Sequence, residues 1–362
     1  MSTPLVTLGV PVYRGHDRLP MLLECLRTQS YENIEVLISV DAADQQTAEA
    51  CTQFLQSDSR FRMQVQPTRL GWAGNTDWTM RHRRGDFYIY QQHDDLLSPT
   101  YVADLVAASA RWQEAVLFFA KLRHTGERDK EITAPSLLGE RTDRVLTFLR
   151  RLHWVPFRGL IRGSALDQTS GLLLSDFDPF DSLGTEFRFM AELALLGEFR
   201  FVDGPVYFKA WHEDNLSTKR KAWSRDHQLM ALASWLAWMI EVVAPAGPTI
   251  RVRRQLFNAT IDRFTVAPHE PPRSIRSVVW AKPFLRAPIR ALRRRLAAGD
   301  PPKDAAQRPA AWPSVTIEDR GALLRLALER LSRDGRFDPV ASLEMTWPEL
   351  ERHTQSLDRS GT

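Results

Sequence analysis

The chain has 362 residues, 43% of them hydrophobic, so it can bury a large core and is long enough for two domains. Its formal net charge of +4 is modest and does not call for nucleic acid, so no nucleic-acid partner is expected. Cys25 and Cys51 lack metal-ligand spacing and are expected to be reduced core residues. No signal-peptide pattern precedes the first predicted strand, and the apolar run 231–240 is too short to span a bilayer, so a cytoplasmic protein is expected.

The first hundred residues alternate between predicted strands and predicted helices. The β-branched, apolar run 5–13 is typical of a buried parallel strand, and leucines at helical spacing then predict a crossover helix. A second strand is predicted over 34–40. A helix, a third strand and a glycine-bearing turn into another helix are predicted at 48–55, 61–65 and 70–75. This alternation predicts an α/β fold with a mostly parallel sheet and helices on both faces.

Carboxylates follow two of the predicted strands. Asp41 ends the second strand, and Asp94 and Asp95 close the strand-like run 87–90. In α/β folds ligands bind at the carboxyl ends of strands, and paired carboxylates suit a hard ion such as Mg²⁺ or Mn²⁺ that brings phosphate oxygens with it. The pattern therefore favours a phosphate-bearing substrate. The alternative is that Asp94 and Asp95 only cap the helix that Pro99 opens.

Taken together, these segments resemble the family 2 glycosyltransferases, which have the GT-A nucleotide-sugar-binding fold. The resemblance covers roughly residues 4 to 218. It is carried, in chain order, by Val10-Pro11-Val12-Tyr13, Gln29-Ser30-Tyr31 with Asn33 and Glu35, Val40-Asp41, Gly71 and Asn75, Gly85 to Ile89, and Asp94-Asp95. The order and spacing of the segments carry the match, since no one of them is decisive. The resemblance implies a GT-A type catalytic domain.

The resemblance also implies roles for individual residues. Asp41 matches the carboxylate that hydrogen-bonds the nucleotide base, Asp94 the residue that faces the ribose or sugar, and Asp95 the ligand of a Mn²⁺ or Mg²⁺ ion at the diphosphate. The other positions assigned to substrate binding in this part of the chain are Pro11, Tyr13 and Asn75.

Two positions depart from the family pattern. Many members read Asp-Asp-Gly-Ser after the second strand, where this chain reads Asp41-Ala42-Ala43-Asp44. The acidic motif often opens with an Asp, where this chain has Gln92. The usual ribose contacts are therefore altered, and the motif keeps two carboxylates.

The segment 177–187 resembles the family's acceptor-side segment, in which a carboxylate heads a helix. Here that carboxylate is Glu186, and the resemblance implies that it is the catalytic base. Apolar residues at helical spacing follow it, so Glu186 is predicted in the first turn, where the helix dipole favours an anion. The alternative is a helix-start Glu without chemistry.

Two aromatic residues follow near the end of the resemblance. His212 is similar to the family histidine that completes the metal shell in several members, although a lone His is commonly a surface or packing residue. Trp211 is assigned to stacking on a sugar ring, with a core aromatic as the alternative.

After residue 218 the chain changes character. Residues 219–299 are predicted to form a helical extension, 300–315 a Pro/Ala-rich linker and 316–362 further helices. Residues 273–298 contain no acidic residue and place arginines opposite an apolar stripe, which is typical of a basic helix on an anionic membrane; a helix packed on the catalytic domain is the alternative. The last helices are candidates for homo-oligomerisation or partner docking.

The sequence thus predicts a metal-dependent, inverting glycosyltransferase that moves a sugar from a nucleoside diphosphate sugar to a hydroxyl of a glycan or other acceptor, in surface-glycan assembly. Cytoplasmic location, with peripheral contact at the inner face of the membrane, is expected. Two alternatives remain. A sugar nucleotidyltransferase would use a similar sheet, but no glycine-rich loop bearing Lys or Arg follows the first strand. The other is a non-catalytic nucleotide-sugar-binding or interaction protein.

Overall fold

The computed structural model describes residues 3–126, 129–211, 220–265 and 319–359. The chain divides into two compact units, one of 1–148 with 152–215 and the other of 149–151 with 216–362. His212, the basic segment 273–298 and the linker 300–315 lie outside the described residues.

The first unit opens with the predicted alternation of strands and helices. Its elements are β1 (Val6–Val12), α1 (Leu19–Arg27), β2 (Ile34–Val40), α2 (Gln45–Ser57), β3 (Phe61–Val65), α3 (Gly71–Arg81) and β4 (Phe87–Tyr90). β1 pairs in parallel with both β2 and β4, and β2 pairs in parallel with β3. Every residue of β1, β2 and β4 is buried, which explains why these strands read as continuous apolar runs.

The rest of this unit makes the sheet mixed. Its elements are β5 (Leu96–Leu97), α4 (Tyr101–Arg111), β6 (Ala115–Gly126), β7 (Lys130–Ile132), α5 (Arg141–Arg151), β8 (Leu160–Arg162), α6 (Gly163–Leu166), α7 (Thr185–Leu196) and β9 (Glu198–Trp211). The strand order is β3-β2-β1-β4-β8-β6-β9-β5, with β7 on β6. β8 is antiparallel to β4 and β6, β5 is antiparallel to β9, and β9 is parallel to β6. The expected parallel arrangement therefore ends at β4, because β8 enters the sheet in the opposite direction.

The second unit is helical. Its described helices are α8 (Arg225–Val243), α9 (Ile250–Thr265), α10 (Arg320–Asp334), α11 (Pro339–Leu343) and α12 (Trp347–Arg359). Arg225 pairs with Asp319 at 2.5 Å, and Arg254 Nε donates to the Leu343 carbonyl at 2.8 Å. The helices on either side of the predicted linker therefore pack into one unit.

One described helix is long and apolar enough to cross a membrane by length and composition. It is α8 with the turn that follows, 225–246, so the apolar stretch is longer than the expected run 231–240. In the folded unit 67% of its apolar window is buried, and Trp235 and Leu236 are almost fully covered. Such burial is what the core helix of a folded domain shows.

Candidate active site

The loops after β1 and β2 have an unusual backbone. Arg14, Ala42 and Ala43 are non-glycine residues with φ of 52°, 58° and 53°. Each such residue costs roughly 1–3 kcal/mol and persists only where its surroundings hold it. Asp44 supplies that support, since its carboxylate caps α2 at Thr47 N (3.3 Å) and accepts from Arg14 N (2.7 Å). Both loops lie at carboxyl ends of strands, where α/β folds bind ligands.

Asp41, at the end of β2, anchors the start of α3. It is 2% exposed, and its two oxygens accept from Leu70 N (2.7 Å) and Gly71 N (3.0 Å). Gly71 has a φ of 71°, and a Cβ there would lie 2.7 Å from the Phe180 backbone. Each carboxylate oxygen can accept more than one hydrogen bond, so base binding by Asp41 stays a prediction.

The other positions assigned to the donor differ in exposure. Pro11 is buried within β1. Asn75 is also buried and ties α3 to β2, because its Nδ2 donates to the Ser39 carbonyl (2.9 Å) and its Oδ1 accepts from Ser39 Oγ (2.5 Å). Tyr13 is partly exposed, and the guanidinium of Arg69 lies 5.0 Å from its ring centroid. Only Tyr13 of the three lies at an open surface, and all three roles stay predictions.

The two carboxylates after β4 have different surroundings. Asp95 is fully buried; Tyr207 OH donates to Oδ2 at 3.0 Å, Ala210 N donates to Oδ1 at 2.9 Å, and Lys209 Nζ lies 3.6 Å from Oδ2. Asp94 is 7% exposed. Burial raises the pKa of the Asp95 carboxyl, and the neighbouring Asp94 adds to this, against the opposing effects of Lys209 and Arg158.

The capping alternative for this pair is wrong. The N-cap of α4 is Thr100, and no side chain caps that helix. The oxygens of Asp95 instead join the end of β4 to β9, a strand more than a hundred residues later. Its assignment to a metal stays a prediction, and Asp94, at 7% exposure, is the more accessible of the two carboxylates.

Two cations converge on Gln92, the residue that replaces an Asp of the family motif. Gln92 Oε1 accepts from Lys209 Nζ at 3.0 Å and from Arg158 Nη2. The Arg158 guanidinium also lies over the rings of Tyr90 and Trp154, 5.3 and 5.1 Å from their centroids. Sequence reasoning missed Lys209 and Arg158. Period-two alternation along β9 could have identified Lys209, because it puts Lys209 on the same face as Tyr207 and Trp211.

Glu186 lies in the first turn of α7, as predicted, after Gly184 with a φ of 85°. Although burial lowers the pKa of the Arg158 guanidinium, the negative charges around it, among them Asp95 and Glu186, raise it overall. Glu186 is thus near enough to Arg158 to act on it electrostatically. Asp95, Asp94 and Glu186 also all act electrostatically on Tyr90, so the three carboxylates surround the end of β4.

Trp211 ends β9 beside two further aromatic side chains. Its ring meets that of His124 edge-on at 5.5 Å, and His124, which is buried, lies 6.3 Å from Trp154. His124 and Lys209 are register partners on β6 and β9. Trp211 is partly buried, so sugar stacking by this residue stays a prediction.

The described residues contain no group of three or more His, Cys, Asp or Glu side chains that could hold a metal ion. Asp94 is 7% exposed and Asp95 is fully buried, so Asp94 is the more accessible carboxylate for coordination, although each oxygen of Asp95 can accept further contacts beside those from Tyr207 and Ala210. Mg²⁺ commonly uses one or two protein carboxylates together with substrate phosphates. These residues therefore fit an ion that arrives with a diphosphate.

Residues 7–166 match the family model described as Glycosyl transferase family 2. The match covers less than half of the chain and, apart from 149–151, lies within its first unit. The chain is 28% identical over 129 residues to "Putative glycosyltransferase EpsH" of Bacillus subtilis, covering 35% of this chain and 37% of that protein. It is 25% identical over 108 residues to "Glycosyltransferase GlyA" of Streptococcus pneumoniae, covering 30% and 15%. The matched part is thus well under two thirds of these relatives, and the predicted family resemblance is confirmed.

Solved structures confirm the expected GT-A fold class. S. aureus TarS 1–349 in complex with UDP-GlcNAc has a TM-score of 0.57 and 13% identity, covering 98% of this chain and 91% of that 1–349 chain. The mannosyltransferase PcManGT from Pyrobaculum calidifontis, in complex with GDP-Man and Mn²⁺, has a TM-score of 0.50 and 16% identity, covering 83% and 82%. At these identities the likeness shows the fold.

Proposed function

We propose that this protein is an inverting glycosyltransferase that moves a sugar from a nucleoside diphosphate sugar to a hydroxyl acceptor with the help of a divalent metal ion. The observation that carries the proposal is that Asp94, Asp95 and Glu186 all act electrostatically on Tyr90 at the end of β4, while Lys209 and Arg158 both donate to Gln92 two residues later. Residues 7–166 also match the family 2 model. The family resemblance supports inversion.

The chemistry assigns one role to Glu186. Its carboxylate takes the proton of the acceptor hydroxyl as that oxygen attacks the anomeric carbon, and the nucleoside diphosphate leaves from the opposite face. One displacement of this kind inverts the anomeric centre and needs one base. Asp94 would hold a Mn²⁺ or Mg²⁺ ion, which neutralises negative charge on the diphosphate when bound.

The donor and partners are proposed at the level of chemical class. TarS was solved with UDP-GlcNAc and the Pyrobaculum mannosyltransferase with GDP-Man, which supports a nucleotide sugar as donor. We further propose surface-glycan assembly in the cytoplasm, peripheral contact of 273–298 with anionic membrane, and homo-oligomerisation through the C-terminal helices.

The proposal is tested with a panel of nucleotide sugars and Mn²⁺. Glu186→Gln keeps the shape of the side chain and removes its basicity, so transfer should fall by about 10²- to 10⁴-fold while donor affinity is kept. Glu49→Gln, at an exposed position of α2, is the matched control and should transfer at the parent rate.

Other results would contradict the assignment. If Glu186→Gln transfers sugar at the parent rate, Glu186 is only a helix-start residue, and Asp178 or Asp181 becomes the candidate base. Nucleotide-sugar binding with no turnover on any donor would favour the non-catalytic alternative. Formation of a nucleotide sugar from a sugar phosphate and a nucleoside triphosphate would favour the nucleotidyltransferase.

A further inference from the structure

We infer that Lys209 and Arg158, held together by Gln92, form a built-in cationic site for the diphosphate, so that this protein binds nucleoside diphosphates without a metal ion. The inference rests on the proposed function, because it assigns further residues to the same donor site. It starts from a shared acceptor: Lys209 Nζ and Arg158 Nη2 both donate to the neutral Oε1 atom of Gln92, while the Asp95 carboxylate lies 3.6 Å from Lys209 Nζ.

The hydrogen-bonding capacity of both cations is only partly used within the described residues. An ammonium group has three N–H donors, and the described partners of Lys209 Nζ are Gln92 Oε1 at 3.0 Å and Asp95 Oδ2 at 3.6 Å. A guanidinium has five, and among the described residues Arg158 Nε is buried without a hydrogen-bond partner. Buried donors of this kind normally find acceptors, which points to an anion that completes the site.

The surroundings keep the two cations in place. Arg158 is fixed by Gln92 and by the faces of Tyr90 and Trp154, to which a guanidinium is attracted. Lys209 lies in the part of β9 that pairs with β6 without interruption from Val206 to Trp211, and its side chain is 13% exposed. A rigid, half-desolvated cation pair is suited to the oxygens of a diphosphate, which accept charge-assisted hydrogen bonds.

Gln92 itself is the specificity element. A carboxylate at this position would pair with both cations and cancel one of their two positive charges, whereas the amide oxygen orients them and leaves both charges in place. The chain thus exchanges one acid of the family motif for positive charge available to the ligand.

The test measures binding of UDP, GDP and inorganic pyrophosphate to the full chain by calorimetry, in EDTA and in Mn²⁺. The parent protein should bind diphosphates in EDTA, and binding should weaken as salt rises. Lys209→Met should weaken binding in EDTA by about tenfold or more, the effect of one charge-assisted hydrogen bond, and Lys209→Arg should restore part of it. Lys121→Met removes a lysine on β6 that pairs with Glu131, and should bind like the parent.

A second variant keeps the inference testable if Lys209→Met does not fold. Gln92→Glu is isosteric and leaves no charge unpaired; it should weaken binding in EDTA by about tenfold or more while Mn²⁺ restores binding. Gln53→Glu, an exposed position of α2, is its charge-matched control.

The inference is overturned if the parent binds diphosphates with Mn²⁺ but not in EDTA, or if Gln92→Glu binds in EDTA as tightly as the parent. If none of the probes binds in either condition, the proposed donor site itself fails, so the two failures are distinguishable.

Discussion

Replacing each of the adjacent carboxylates with alanine should have opposite consequences. Asp95→Ala should destabilise the fold, because Asp95 is fully buried and joins β4 to β9. Asp94→Ala should leave the fold nearly intact and remove the stimulation of nucleoside diphosphate binding by Mn²⁺. This division is the reverse of the sequence prediction, in which Asp95 was the metal ligand.

The magnitude for Asp95→Ala follows from its contacts. The substitution removes the acceptor for Tyr207 OH and Ala210 N, and a hydrogen bond to a charged group contributes about 1.5–3 kcal/mol. It also leaves Lys209, a largely buried cation, without its carboxylate. Breaking a buried pair by removing one partner costs about 3–5 kcal/mol, and we expect a loss of that size in the free energy of unfolding. For Asp94→Ala we expect a smaller loss, since the like-charge interaction with Asp95 disappears with it.

Urea unfolding gives the stability of each variant, and calorimetry with UDP and GDP in Mn²⁺ or EDTA gives the metal-dependent part of binding. The assay for binding is run at a temperature where both variants are folded by circular dichroism. The reasoning is refuted if Asp95→Ala is as stable as the parent and alone loses the Mn²⁺ effect, because Asp95 would then be the ligand.

Two further predictions concern the first unit. Ala43→Gly should keep the free energy of unfolding or raise it by up to about 1 kcal/mol, because Ala43 has a φ of 53°. Its control, Ala50→Gly inside α2, should cost about 1 kcal/mol. Equal losses for both variants in urea unfolding would refute strain at Ala43. Burial raises the pKa of the Cys51 thiol to about 12 and also raises the pKa of the Cys25 thiol. Neither thiol should therefore react with Ellman's reagent at pH 8 until urea unfolds the protein. Prompt reaction of the native protein would contradict this burial.

Much of the first unit could be predicted from the sequence because its signals are local. Buried parallel strands are continuous apolar runs, and the crossover helices carry apolar residues at helical spacing. The family resemblance added Glu186, and the structure places it in the first turn of α7 as expected. The helices of the second unit were also predicted, although not that those on either side of 300–315 form one unit.

The different surroundings of Asp94 and Asp95 could not be predicted from local sequence signals. Asp94 and Asp95 are identical in type and adjacent in sequence, so composition and spacing cannot distinguish them. Which one meets β9 depends on the strand that lies opposite, and β9 brings Tyr207 and Ala210 to Asp95 across more than a hundred residues. Side chains on neighbouring positions point in different directions, so the contacts of one carboxylate do not predict those of the other.

By itself the sequence determined the parallel half-sheet, the position of the carboxylates at the strand ends and the start of α7. The signals for these features, the spacing of apolar residues and the residue types that follow a strand, extend over only a few residues. The tertiary structure alone decided the antiparallel insertion of β8 and the convergence of Arg158 and Lys209 on Gln92. Those side chains come from segments 66 and 117 residues away from Gln92, and no local pattern records which distant segments a folded sheet will place side by side.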